Sequence, residues 1–153
     1  MKRSLGLLLI LVTTGGTSLA GSPAPVRQIA ENSVAGWNAV LATGRVEGIL
    51  PLYADKAMVL QPDGVAAKGS GPIRDFWKKL IEQGEYAMDV IDVHAEQNGT
   101  LVATLRFSGV KTRATTGRQT LQYRYDGVVY SVLKQQADGG WKAEVQRWNS
   151  DRT

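Results

Sequence analysis

The chain has one histidine, His94, and it stands between two carboxylates in the pattern Asp92-x-His94-x-Glu96. On a strand, that spacing puts all three side chains on one face, about 7 Å apart in successive steps. Such a trio could hold a divalent metal, or serve as an imidazole base oriented by a carboxylate. Three ligands spread along one flat strand do not converge on a single ion, however, and a polar row is what the solvent face of a half-buried strand ordinarily carries. The solvated face is the reading adopted, with Ile91, Val93 and Ala95 turned to the core. Cysteine is absent, which removes disulfides, cysteine nucleophiles and thiolate metal sites. A single histidine also removes multi-histidine metal centres and confines any Ser-His pair to His94. No metal and no cofactor is expected.

A second charged pattern is Arg106, Lys111, Arg113, Arg118 and Arg124, with no acid between Glu96 and Asp126. These cations could attract anionic headgroups or an acidic ligand. They serve equally as decoration of long strands, guarding an edge against pairing, and that reading needs no partner. Asp63 lies in Pro62-Asp63-Gly64, where aspartate stabilises a turn. Asn98-Gly99-Thr100 matches a glycosylation sequon, but Asn-Gly is first of all hairpin-turn chemistry.

These groups sit in a chain of 153 residues, 43% hydrophobic and 21% charged, which suits one globular domain and excludes a disordered tail. Residues 1–20 read as a secretory signal: Lys2 and Arg3 begin it, Leu5 to Val12 is apolar but for Gly6, and Ser18-Leu19-Ala20 supplies the small residues before cleavage. The apolar run is far short of the ~20 residues of a membrane span, so no stable membrane insertion is expected after cleavage. The expected location is the periplasm or the outside of the cell. Removing the signal takes Lys2 and Arg3 from a formal net charge of +4, and a nucleic-acid partner is not expected of so weakly basic an exported protein.

Residues 21–25 read as a short extended leader, and residues 26–153 as the domain. From Val26 the apolar residues Ile29, Val34, Trp37, Val40 and Leu41 recur at helical spacing, with Gly44 as the stop. A second short helix is expected over Val46 to Tyr53, bent by Pro51. Met58 to Gln61 reads as a strand, Pro62-Asp63-Gly64 as its turn and Val65 to Lys68 as the return. Gly69-Ser70-Gly71-Pro72 opens a third helix buried through Ile73, Phe76, Trp77, Leu80 and Ile81. The period then switches to two. Strands are expected over Tyr86 to Gln97, from Leu101 through Phe107, over Thr120 to Gln135 and over Trp141 to Ser150, with turns at Asn98-Gly99 and Asp138-Gly139-Gly140. The order predicts an α+β fold: a curved antiparallel sheet with three N-terminal helices packed on its concave face, leaving a cone-shaped interior.

Several segments carry a family resemblance. Trp37 to Gly44 followed by Leu52-Tyr53-Ala54-Asp55-Lys56-Ala57, then Gly71-Pro72-Ile73-Arg74-Asp75-Phe76-Trp77, then Asp138-Gly139-Gly140-Trp141-Lys142 with Trp148-Asn149-Ser150, resemble in order and spacing the SnoaL-like, ketosteroid-isomerase-like branch of the nuclear transport factor 2-like superfamily. The resemblance spans almost all of residues 26–153. It implies a cone-shaped, cystatin-like α+β barrel, a pocket inside the cone, and a homodimer through the outer face of the sheet.

In the isomerases of that family an aspartate base lies eight residues beyond the tyrosine of the Leu-Tyr-Ala-Asp segment; here that position is Gln61. A tyrosine seven residues before the helix-ending glycine is Trp37 here, and a third tyrosine is Trp77. The family's protonated acid falls at Tyr130 or Ser131, and no Asp or Glu lies between Val128 and Ala137. Enolisation needs a carboxylate at the reacting carbon and a donor at the oxyanion, so the expectation is against isomerase chemistry. What the resemblance leaves is a ligand-binding set: Trp37, Tyr53, Val59, Gln61, Trp77 and Trp148. Tryptophans on helical faces are ordinarily plain core; the family's cavity is what favours a pocket.

Three functions stand at this point. The first is an exported domain binding a small hydrophobic or aromatic ligand in an aromatic-lined cone. The second is a SnoaL-like enzyme of isomerase, hydratase or cyclase type, polarising its substrate through Tyr53 and Gln61 with water moving protons. The third is a dimeric structural or interaction module whose cone is filled by its own side chains.

Overall fold

The computed structural model describes residues 24–82, 84–113 and 121–150. The expected signal at residues 1–20 and Arg118 of the cationic run lie outside the described residues. Helix α1 runs over Ala24–Thr43, so it takes in the last two positions of the expected leader. Pro25 is accommodated because the first helical turn has no use for its missing N–H. Ala30, Val34, Trp37 and Leu41 are its buried stripe, and Gly44 ends it at φ +64° with its N–H on the Leu41 carbonyl.

The bent helix expected over Val46 to Tyr53 is instead two single 3₁₀ turns, Val46–Gly48 and Leu50–Leu52. Pro51 cannot donate into an α-helical ladder, whereas a one-turn 3₁₀ helix ends before the lost bond matters. The turn rests directly on α1: a Cβ on Gly48 would come within 2.9 Å of Val40 Cγ1.

The remaining elements are β1 (Tyr53–Leu60), β2 (Ala66–Lys68), α2 (Ser70–Ile81), β3 (Gly84–Ala95), β4 (Thr100–Arg113), β5 (Leu121–Gln135) and β6 (Trp141–Ser150). One six-stranded sheet holds all the strands in the order β2-β1-β6-β5-β4-β3. It is curved and does not close into a barrel. The buried residues of both helices and of the strands form one apolar cluster, which is the α+β arrangement expected.

The sheet is not wholly antiparallel. β1 runs parallel to β6, because the long chain between them leaves their direction free of any hairpin constraint. β1 also begins five residues earlier than expected and ends at Leu60, which leaves Gln61 in the turn. Register shifts between Val90 and Asp92 and between Val132 and Leu133 are the bulges that bend long strands. The first of them turns Ile91 outward, 45% exposed, and Ala95 is exposed as well; only Val93 of the three residues expected in the core packs against it.

Strand β3 is a sheet edge, and α1 closes it at one point. Asn38 Nδ2–H donates to the Met88 carbonyl at 2.9 Å, and the Met88 N–H donates to Asn38 Oδ1 at 2.7 Å. A side-chain amide thus does there what a further strand would do.

Candidate functional site

The concave side of the sheet carries two aromatic groups that share Trp77 and Trp148. The inner group is built by α1, α2 and β1. Trp37 stacks on Trp77 at 5.2 Å between ring centroids, and Tyr53 meets Trp37 edge-on at 5.0 Å. All three rings are buried. Their polar atoms form a chain across the layers: Trp77 Nε1–H donates to Tyr53 Oη at 2.8 Å, Tyr53 Oη–H donates to Gln146 Oε1, and Gln146 Nε2–H reaches Ser131 Oγ at 3.4 Å. Gln146 and Ser131 are opposed residues of β6 and β5. Burial pushes the Tyr53 phenol far above its ordinary value, with the Trp77 N–H pulling slightly the other way. Tyr53 is therefore a fixed neutral hydrogen-bonding group and not an acid or a base near neutral pH.

The second group lies where β3, β4 and β5 meet the C-terminal ends of the helices. Phe107 is its centre, with Tyr86 stacked on it at 4.8 Å and Trp148 and Tyr125 edge-on at 4.7 and 5.7 Å. Gly109 makes this possible: a Cβ there would sit 2.4 Å from the Tyr86 ring and 2.3 Å from the Glu85 carbonyl, so only glycine lets the ring cross the strand. Here the polar atoms are not paired. Tyr86 Oη and Trp148 Nε1 are both buried with no hydrogen-bond partner among the described residues. Burial, with the Tyr125 phenol adding to it, pushes the Tyr86 phenol up to about 12. Two buried donors lacking acceptors are costly unless something else fills that need. Beside Tyr86 a cavity of about 370 Å³ is lined by Leu41 to Gly44, Ile81, Glu82, Gly84 and Glu85.

The model of the SnoaL-like domain family matches residues 34–142, more than half of the chain. The chain belongs to the SnoaL-like family. Solved structures share its fold. A ketosteroid isomerase-like protein from Erwinia carotovora atroseptica superposes with a TM-score of 0.69 at 14% identity, over 82% of this chain and 96% of that one. A nuclear transport factor 2-like protein from Salmonella enterica gives 0.68 at 12%, over 86% and 95%. A cystatin-like domain from Nostoc punctiforme gives 0.66 at 13%, over 86% and 81%. No curated protein sequence matches the chain.

Within this SnoaL-like domain the six residues singled out in the sequence separate. Trp37, Tyr53, Val59, Trp77 and Trp148 all enter the buried cluster. Gln61 is not part of that cluster. It is half-buried in the turn after β1, where its N–H donates to the Val65 carbonyl. The glutamine inside the cone is Gln146, fully buried on β6. Sequence reading passed over it because Glu144-Val145-Gln146-Arg147 shows no clean alternation to mark which residues turn inward. It also passed over Tyr86 and Phe107 as site residues, since on an alternating strand they look like ordinary core.

The uncertain register at the family's acid position resolves by the pleat: Ser131 points inward and is buried, while Tyr130 points outward and is 41% exposed. The only buried polar or charged residues among those described are Ser131 and Gln146; the carboxylates on the cavity lining beside Tyr86, Glu82 and Glu85, are exposed.

The other charged patterns take no part in either aromatic group among the described residues. Asp92, His94 and Glu96 are exposed, with His94 Nε2 and Glu96 Oε1 3.0 Å apart. Among the described residues no three His, Cys, Asp or Glu gather as a metal site. Arg106 is exposed, and Lys111, Arg113 and Arg124 lie in β4 and β5. Asp63 accepts the Val65 N–H at 3.0 Å, and Asn98 and Gly99 both take positive φ, as turn residues do. Among the described residues no helix is long and apolar enough to cross a membrane.

Proposed function

We propose that this SnoaL-like domain is an exported binding protein that takes a small hydrophobic or aromatic ligand against the Tyr86, Phe107 and Trp148 end of its cone, without isomerase chemistry. The observation that carries this reading is the pair of buried donors, Tyr86 Oη and Trp148 Nε1, without a partner among the described residues and both belonging to rings packed on Phe107. A ligand with an acceptor oxygen and an apolar body answers both needs of such a wall. Trp37, Tyr53, Val59 and Trp77 are then the rigid backing, in which the polar atoms of Tyr53 and Trp77 are already hydrogen-bonded, and Gln61 has no part. Glu82 and Glu85 on the cavity lining are exposed and no carboxylate is buried among the described residues, which supports binding over proton abstraction by a base held against the substrate in a water-excluded site.

The test is a titration of the ¹⁵N-labelled protein with a panel of neutral aromatic alcohols and ketones. The expected result is a shift of the Trp148 indole N–H signal, and binding weakened about tenfold or more in Trp148→Phe, as loss of one buried hydrogen bond gives. Shifts confined to the surroundings of Trp37 would overturn the reading. A β,γ-unsaturated ketone is expected to isomerise no faster with the protein than in buffer. Export predicts an N-terminus at Gly21 on the protein recovered from the cell envelope or medium; a retained Met1 there would refute cleavage.

A second copy of the chain is the partner proposed for the helix-free face of the sheet. Ile91 and Tyr130 are 45% and 41% exposed there, beside half-buried Val128, an apolar surface of the kind association covers. Light scattering is expected to give twice the chain mass and Tyr130→Lys the single mass.

A further inference from the structure

We propose that two copies of the chain dock through the helix-free face of the sheet in one orientation, with β3 of each copy over β6 of the other and Asp92 set against Arg147 of the second copy. The inference rests on the reading of that face as a self-association surface, and adds the orientation and the charges that fix it.

The pairing register lays the outward residues of four strands in rows. One row runs Asp92 on β3, Thr104 on β4, Tyr130 on β5 and Arg147 on β6. The middle of the face is apolar: Val102, Val128 and Val132 are half-buried there, and Tyr130 is 41% exposed. Its two sides differ in charge. The β3 side carries Asp89 and Asp92, both exposed. The β6 side carries exposed Arg147, while Glu144 of that strand is held by Lys134 at 3.7 Å. Asp92 and Arg147 have no ion-pair partner among the described residues. Three strand spacings, about 14 Å, keep them from pairing within one chain.

A two-fold axis along the strands, between β4 and β5, exchanges β4 with β5 and β3 with β6. It lays Tyr130 on Thr104 and Val132 on Val102 of the second copy, and it sets Asp92 against Arg147 twice, once at each rim. Arg106 then comes over Val128, two residues from Asp126 of the second copy, again a base beside an acid. The result is an apolar centre with charge at its rim, the usual anatomy of an interface. A two-fold axis across the strands would instead lay β3 on β3 and β6 on β6, acid over acid and base over base. Like charges brought together in this way oppose that orientation. Because Asp92 and Arg147 are exposed, their attraction is partly screened and weakens with salt.

Charge reversal tests the orientation, read by sedimentation over a range of protein concentrations at low salt. Asp92→Arg and Arg147→Asp are each expected to weaken self-association about tenfold or more, since each variant sets like charges together at both rims. An equimolar mixture of the two variants restores opposite charges at both rims, and so does the double variant in one chain. Both are expected to associate within about threefold of the parent, and the mixture to contain one copy of each variant. Raising the salt is expected to narrow the gap between the single variants and the parent. If the parent is a dimer and neither reversal weakens it, or if the mixture and the double variant stay as weak as the single variants, the orientation is overturned while the self-association reading stands. If the parent itself sediments at the single chain mass throughout, that reading falls, and this inference with it.

Discussion

The two ends of the cone use the same kinds of side chain to opposite effect. At the inner end, Trp77, Tyr53, Gln146 and Ser131 hand one hydrogen bond to the next, and Trp37 and Trp77 are stacked and buried. At the helix-end side, Tyr86 and Trp148 are also buried, but Tyr86 Oη and Trp148 Nε1 have no hydrogen-bond partner among the described residues, and a cavity of about 370 Å³ opens beside Tyr86. Buried polar groups stabilise a fold only when satisfied. The inner end is therefore built for rigidity, and the other end keeps unmet hydrogen-bonding capacity. The place to look for function is where the aromatic core is left incomplete, not where it is richest.

Substitutions can break this contrast. Trp77→Ala removes a fully buried ring that touches both groups and is expected to cost about 3–5 kcal/mol in urea unfolding. Gln146→Leu leaves the Tyr53 hydroxyl without its acceptor and is expected to cost about 1–3 kcal/mol. Combined with Tyr53→Phe, the two losses are expected to be less than additive, because they share one bond. Tyr86→Phe is the counterpart at the other end: it deletes an unpaired buried hydroxyl, so stability is expected to stay within about 0.5 kcal/mol of the parent or to rise. A large loss in Tyr86→Phe, or none in Gln146→Leu, would erase the distinction between the ends.

Alkaline titration sharpens it. Both phenols are raised by burial, so the unfolded chain loses their protons first, near the ordinary tyrosine value of about 10. Their contribution is complete below that pH and is lost as pH climbs. For Tyr86 the loss runs from about 10 to about 12. Tyr53, raised further, keeps its proton in the fold beyond that window. Tyr86→Phe is expected to flatten the stability slope between those values, and the slope that remains above them is expected to need Tyr53.

Much of this was legible in the chain. The stripe Ala30, Val34, Trp37, Leu41 marks α1, and the turn residues Asp63, Asn98 and Gly99 sit where their chemistry placed them. The position of Gln61 misled, because strand ends are fixed by partners: β1 stops at Leu60 once β2 and β6 are satisfied. The bulge after Val90 reversed Ile91 for a similar reason, since a period of two carries no record of an inserted residue.

By itself the sequence determined the classes of chemistry available, the helical and strand periodicities, and the family motifs, because these rest on residue type and spacing along one chain. Only the tertiary structure decided the parallel β1–β6 pair, the burial of Gln146 rather than Gln61, and which tryptophan and tyrosine are buried without a hydrogen-bond partner among the described residues. Each of those depends on which distant backbones lie side by side, and hydrogen bonding is satisfied in space rather than along the sequence.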